Sequence, residues 1–499
     1  MGSAKSIFDG VKWTYLNTII TSVFGFISVP LLLNYFGKAD FGLITLATSL
    51  NVYLGLMDLG VSGTTVRFFS NWLAKGEQDK VKKLFSTTIF FLGCVGLINT
   101  IILGVFSIYC DRMFALDSDQ VSILRHLIMI LGLNAFFSWS TSPFDQLIRS
   151  SENIAWLQKR SLFPITCQIL ILILTLTLHL TLEFYFFAST FSYLFIIPFT
   201  VRKIKSLFPY ISFKPKFSKV IFSEIVSYSI SIASFGIFQF SMLNLRPVIL
   251  GMQADIESVS DYKVMGGIVG MVLTISSCFF GILLPSSSKA VAQGNKDAIN
   301  RIVFDGTKYI TIVLGLMIFG GLTIGDKLLY IYVGESFSHI SIWLYVWLAS
   351  LFVQHNQAIS SIIFAGTNVK PIAYMSAVST VIGLTLCWFL TPTYKVGGVV
   401  IGYFVYCVFQ TLFYYIYYWP RVLNINSFMV FRKCLFPVLL WGGLSVVLAR
   451  CILSYFDCKA TIMFLIGGST FVLLYVIAVY MFILNQSDCS FFLNLIKRH

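Results

Sequence analysis

Few side chains in this sequence could do chemistry, and nearly all of them lie within long apolar runs. Arg246 comes directly before Pro247, late in a stretch from Ile225 to Leu250. A guanidinium keeps its charge and meets phosphate oxygens two at a time. In a cavity Arg246 would suit a diphosphate; at an outer helix end it would be a snorkelling anchor. Arg67, at the inner end of the stretch Leu43 to Val66, has the same two readings: a contact for a head group arriving from the cytosol, or an anchor. Asp58 lies deep in that stretch, with Gly60 and Gly63 after it. Such a carboxylate can carry a proton, hold a cation, pair with a basic group, or cap a bent helix. Asp145 and Arg149 stand four apart, the spacing of an ion pair along one helix face, either structural or an inner gate. Gln354, His355, Asn356 and Gln357 run consecutively near the middle of Ile342 to Ala365. Four adjacent polar residues cannot all face lipid at low cost. They fit sugar recognition or hydrogen bonds between helices, with His355 either titrating or held neutral.

These groups need a reason because an ionisable side chain at membrane depth costs about 2.5–3.5 kcal/mol on insertion scales. The membrane itself is read from composition. The chain has 499 residues, 57% hydrophobic and 11% charged, with a mean hydropathy of +0.84. A hydrocarbon core is crossed by about 20 apolar residues in a helix. Fourteen such stretches occur, from Trp13–Tyr35 to Thr461–Ile483, and leave no room for a water-soluble domain. Unpaired backbone is not tolerated in lipid, so each is expected to be a helix. With the N-terminus inside, 26 of the 35 lysines and arginines fall in inner segments, which places both termini in the cytoplasm by the positive-inside rule. The net charge of +14 follows from that asymmetry and gives no support for nucleic acid as a partner. Lys5 and Lys12 precede an apolar run too long for a cleavable signal, so the first span is expected to be a signal anchor. The ten cysteines form no CxxC; Cys451 and Cys458 flank the last outer loop, either paired or free. No residue pattern implies a metal or organic cofactor, and coupling to a proton or sodium ion is left open.

Two inner connections resemble each other. Ala74-Lys-Gly-Glu-Gln-Asp79 and Ala292-Gln-Gly-Asn-Lys-Asp297 share A-x-G-x-x-D at an offset of 218. Pro30 matches Pro247 at 217, and Leu147–Asn153 resembles Ile362–Asn368 at 215. The polar run opposite Gln354–Gln357 is Trp139-Ser-Thr-Ser142. Near-equal offsets indicate a duplicated block of six helices. An even number makes the copies parallel, as in transporters with a site between their halves. The expected fold is all-α: fourteen transmembrane helices in two pseudo-symmetric six-helix lobes plus two C-terminal helices. The lobes are placed at 1–200 and 225–420, with a basic cytoplasmic linker at 201–224 and an appended pair with its tail at 421–499.

The first copy contains Gly25-Phe-Ile-Ser-Val-Pro-Leu-Leu-Leu-Asn-Tyr-Phe-Gly37, then Asp40-Phe-Gly-Leu43, Asp58-Leu-Gly60 and Arg67. This resembles the start of bacterial polysaccharide flippases of the Wzx type, the O-antigen and capsule transporters. That family sits in the multidrug/oligosaccharidyl-lipid/polysaccharide exporter superfamily. The resemblance implies a V of two lobes in the inner membrane and export of an undecaprenyl-diphosphate-linked oligosaccharide used for lipopolysaccharide or capsule. It also implies membrane lipid and polysaccharide assembly proteins as partners, and no enzyme activity. Arg67 and Arg246 would meet the diphosphate, and Gln354–Gln357 the sugar. The first span carries no acidic residue, a departure from many multidrug members. Two rivals remain. A multidrug or small-solute exporter would want an acid-rich cavity, and this chain looks mildly basic. A glycosyltransferase or polymerase would want a sizeable outer loop with catalytic carboxylates, which is absent, as is any GxxxxGK[ST] for an ATP-driven pump.

Overall fold

The structure is a computed structural model that describes residues 4–484 apart from 59, 115, 367–369 and 457. Asn368 of the third repeat match and the basic tail residues Lys497 and Arg498 lie outside the described residues. Among the described residues there are helices and turns and no strand. Among the described residues thirteen helices are long and apolar enough to cross a membrane. The remaining expected span, Ile225 to Leu250, is covered by two helices in series, 219–244 and 246–253.

The chain divides into two compact units, 1–263 and 264–499. The first contains α1 (Ala4–Phe36), α2 (Lys38–Leu54), α3 (Val61–Ala74), α4 (Gln78–Met113), α5 (Ser118–Ser150), α6 (Ile154–Leu178), α7 (Leu182–Phe191), α8 (Ile197–Leu207), α9 (Lys219–Asn244), α10 (Arg246–Gln253) and the start of α11 (Ile256–Ala292). Its core gathers Phe69, Leu84, Phe85, Leu147, Ile148 and Ile204, all fully buried, from four different helices. The division falls later than the basic linker because α9 packs on α2, α3 and α4, and α10 packs on α2.

The second unit holds the rest of α11, then α12 (Lys296–Arg301), α13 (Thr307–Val333), α14 (Ser341–Ser350), α15 (Gln357–Gly366), α16 (Lys370–Tyr394), α17 (Val396–Phe413), α18 (Ser427–Val430), α19 (Phe436–Leu453) and α20 (Ala460–Ala478). The last two long helices, outside the duplication, pack on α13. Gly442 of α19 lets the ring of Phe319 approach its backbone, where any Cβ would collide. Tyr475 of α20 donates a hydrogen bond to the Ile312 carbonyl at 2.8 Å. Cys451 and Cys458 are exposed free thiols.

The duplicated loops share a backbone trick. After α3, Gly76 N–H bonds the Leu73 carbonyl and Glu77 N–H the Trp72 carbonyl. After α11, Gly294 N–H bonds the Val291 carbonyl and Asn295 N–H the Ala290 carbonyl. Each pair occupies the same steps at an offset of 218, and the two glycines have φ of +71° and +61°. This is the Schellman stop of a helix, which needs a left-handed residue and so selects glycine.

Candidate functional site

Two membrane-crossing segments break where the sequence carries its polar groups. The second one runs as α2, a 3-10 turn over Gly55–Asp58, left-handed Gly60 (φ +74°) and then α3. The Asp58 carboxylate sits at that break. It accepts from Ser62 N–H at 3.1 Å and from the Ser62 hydroxyl at 2.6 Å. It therefore caps α3, where the helix dipole favours an anion. The network continues: Gln146 Nε2 of α5 donates to Ser62 Oγ and to Ser142 Oγ, each at 2.9 Å. Of the readings open for Asp58, capping a bent helix is the one its geometry displays. Arg67, two turns further along α3, is exposed.

The second break lies between α14 and α15, where Leu351–Asn356 forms a 3-10 segment. The four polar residues split into two pairs there. Gln354 and Gln357 are half-buried, and Gln357 Nε2 donates to Gln354 Oε1 at 2.8 Å. His355 and Asn356 are buried. His355 Nδ1 faces the Phe352 carbonyl at 2.5 Å and Nε2 faces the Tyr415 hydroxyl at 2.7 Å. A carbonyl only accepts, so Nδ1 carries a hydrogen, and Nε2 shares a second hydrogen bond with the tyrosine hydroxyl. Tyr415 and Trp419, from a π-helical segment Tyr414–Val422, pack their rings on it. Both amide atoms of Asn356 are buried with no hydrogen-bond partner among the described residues. A 3-10 or π turn keeps its backbone paired within the helix, and broken helices with polar lining are what transporter sites are made from.

Arg246 opens α10, just after the join at Leu245. It is only 2% exposed, so it does not snorkel. Its Nε donates to the Met242 carbonyl at 3.0 Å, and its guanidinium lies 5.2 Å from the centre of the Tyr262 ring. Met242 lies in the last turn of α9, where carbonyls run out of intrahelical donors. Close by in the chain, Lys38 Nζ is 2.9 Å from Asp261 and 3.5 Å from Glu257, and the Ser260 hydroxyl bonds the Lys38 carbonyl. Gly42 of the D-F-G motif lies against the Ile256 backbone, where a Cβ has no room. This junction between the start of α2 and the start of α11 was not visible in the sequence.

The expected pairing of Asp145 with Arg149 is corrected. Arg149 is exposed, whereas Asp145 receives Arg160 of α6. Nη1 and Nη2 reach the two carboxylate oxygens at 2.8 and 2.7 Å, a bidentate fork. Tyr193 and Thr200 add hydrogen bonds to the pair, at 3.4 and 2.5 Å. The helix spacing rule is local; the turn after α5 returns α6 alongside it, and Arg160 supplies the planar fork. Its side chain is 8% exposed and that of Asp145 31%. Arg160→Ala therefore strands a half-buried carboxylate and should cost about 3 kcal/mol, while replacing the pair by Met and Leu should cost much less. Chemical unfolding of the purified single and double variants measures this; equal losses in both would remove the pair from the account.

Among the described residues no three His, Cys, Asp or Glu gather as a metal site. The first unit instead carries a capped carboxylate at one break and a buried arginine at a helix join, and the second unit an amide patch at its own break.

A family model described as "Polysaccharide biosynthesis protein" matches residues 7–291. Among solved structures, lipid II flippase MurJ in its inward closed conformation aligns with a TM-score of 0.71 at 13% identity, over 95% of this chain and 98% of that one. An inward-facing multidrug resistance MATE family transporter of the MOP superfamily aligns at 0.59 and 12% identity, over 85% and 98%. The eukaryotic MATE transporter AtDTX14 aligns at 0.56 and 14% identity, over 87% and 99%. At such identities the likeness is one of fold. Comparison with curated proteins finds no match.

Proposed function

The chain belongs to the polysaccharide biosynthesis protein family, and from that membership we propose that it is a flippase for a polyprenyl-diphosphate-linked oligosaccharide. The cargo is an O-antigen or capsule repeat unit on undecaprenyl diphosphate. It moves from the cytoplasmic to the outer leaflet of the bacterial inner membrane by alternating access, and both termini of the carrier lie in the cytoplasm. The family match is the observation that carries this reading. Three things add support: a fold shared with a lipid II flippase, breaks in two spans at polar residues, and the inward bias of lysine and arginine. In this reading Arg67 meets the diphosphate at the inner surface, Arg246 holds it further out, and Gln354 and Gln357 bond the sugar. Moving two negative charges out of a negative-inside cell gains about 4.6 kcal/mol per 100 mV, from about 2.3 kcal/mol per charge. That drive needs no organic cofactor and no nucleotide; a coupled proton or sodium ion is compatible with it. No bond is made or broken, so the protein is not an enzyme.

The same fold in MATE transporters favours one second reading, a multidrug or small-solute exporter. Complementation separates them. The protein should restore surface polysaccharide to a strain lacking its own flippase and give no protection to a strain lacking drug exporters; the opposite pattern overturns the proposal. Orientation is tested in a cysteine-free background. A cysteine at Lys214 should react only with a membrane-permeant reagent and one at Asp117 with an impermeant one; reversed labelling would invert the carrier.

A further inference from the structure

Two helices of the second unit present matching stripes to one surface groove. On α16, Lys370, Tyr374 and Val378 follow one another at four-residue steps, so they lie along one face. On the neighbouring segment Phe413, Tyr417 and Arg421 have the same spacing, in the opposite direction along the chain. The register between α16 and α17 is fixed by Gln410, whose Nε2 donates to Ser379 at 2.8 Å and Ser376 at 3.2 Å. That register sets Phe413 near the depth of Tyr374 and Tyr417 near that of Lys370, with Arg421 about a turn beyond, so the cations lie at one end of the groove and the apolar residues at the other. The groove has a volume of about 400 Å³, and Lys370, Tyr374, Val378, Phe413 and Tyr417 line it. Tyr374 is 75% exposed and Val378 53%. The guanidinium of Arg421 lies 5.6 Å from the Tyr417 ring centre, and the Phe413 and Tyr417 rings stack at 5.5 Å.

We propose that this groove is a binding site for one anionic phospholipid of the leaflet at the basic ends of these helices. Eight helical residues rise about 12 Å at 1.5 Å each. The interfacial layer of a leaflet is roughly 6 Å, half the difference between the full bilayer and its hydrocarbon core. The α16 stripe thus starts at the head group and ends among the acyl chains. Tyrosine is suited to the boundary, with an apolar ring and a wet hydroxyl. Lys370 in the lining, Arg421 against the Tyr417 ring at the same end, and no carboxylate among the lining residues select an anionic head group over a zwitterionic one, whose amine would find no partner. The site goes beyond the flippase reading and survives its failure, since a drug exporter of the same fold could hold the same lipid.

The test uses the full-length protein in nanodiscs of phosphatidylethanolamine, titrated with a fluorescent phosphatidylglycerol. Each interfacial cation is worth about fivefold, from about 1 kcal/mol, so K370Q/R421Q should weaken binding about 25-fold. K82Q/K83Q, which removes two exposed charges elsewhere, should leave it unchanged. Should the first double variant fold poorly, Tyr374→Leu on the exposed face should still weaken binding. Equal retention of phosphatidylethanolamine, or an equal loss in K82Q/K83Q, would reduce the effect to general surface charge and overturn the site. Displacement of the probe by polyprenyl diphosphate at far lower concentration would assign the groove to the cargo instead, and would overturn it too.

Discussion

Arg246→Ala should lower polysaccharide export per folded protein by about 10- to 100-fold, since a hydrogen bond to a charged group contributes about 1.5–3 kcal/mol. Arg246→Lys should recover part of that. Lysine keeps the charge and the contact with Tyr262 but loses the planar fork and the bond to the Met242 carbonyl. The residue sits at a join between two helices, so a structural contribution has to be separated from a transport one. Complementation of a flippase-null strain, normalised to the folded protein recovered from membranes, does this. If the alanine variant is merely less abundant and exports normally per molecule, Arg246 is a brace and not a diphosphate ligand.

The amide patch offers the second large effect, because its members should respond with opposite signs. Asn356→Leu removes two buried polar atoms without partners, each worth about 1–3 kcal/mol in desolvation. The variant should therefore unfold later than the parent while transporting less. Gln354→Leu and Gln357→Leu should lower transport without raising stability, by factors that differ between two oligosaccharides, because a hydrogen-bonding site penalises the sugar that leaves its groups unpaired. His355→Leu should lower folded yield equally for every cargo, since it breaks the Phe352–His355–Tyr415 chain. Transport of two different repeat units, with melting temperatures for each variant, checks the set. Identical relative losses on both sugars that track expression would reduce the patch to helix packing.

Membrane helices are the most legible feature of this chain because hydropathy over twenty residues is a strong signal. The breaks within them were visible only through their passengers. Hydropathy is blind to whether a backbone is α, 3-10 or π, but Asp58 with Gly60, and the run Gln354–Gln357, stand at the two breaks. The duplicated loops were legible because a left-handed residue selects glycine, so Gly76 and Gly294 carry a backbone constraint in their identity. Non-local partners were not legible. Asp145 was assigned Arg149 by the rule for one helix, and its partner Arg160 lies across a turn. Likewise, nothing in their spacing sets Lys38 beside Asp261, more than two hundred residues away. The polar partners of Asp58 and His355, Ser62 and Tyr415, are residue types too common in such a chain to stand out.

The proposed cargo, a lipid-linked sugar, can be followed directly. Purified protein reconstituted into liposomes should move a fluorescent undecaprenyl-diphosphate oligosaccharide between leaflets, read as label that becomes accessible to a membrane-impermeant quencher or lectin. The rate should rise with an inside-negative potential and fall in the Arg246→Ala protein. Liposomes in which the lipid-linked sugar stays on its original leaflet, while a cationic dye is transported by the same protein, would contradict the account and place this chain among the small-solute exporters.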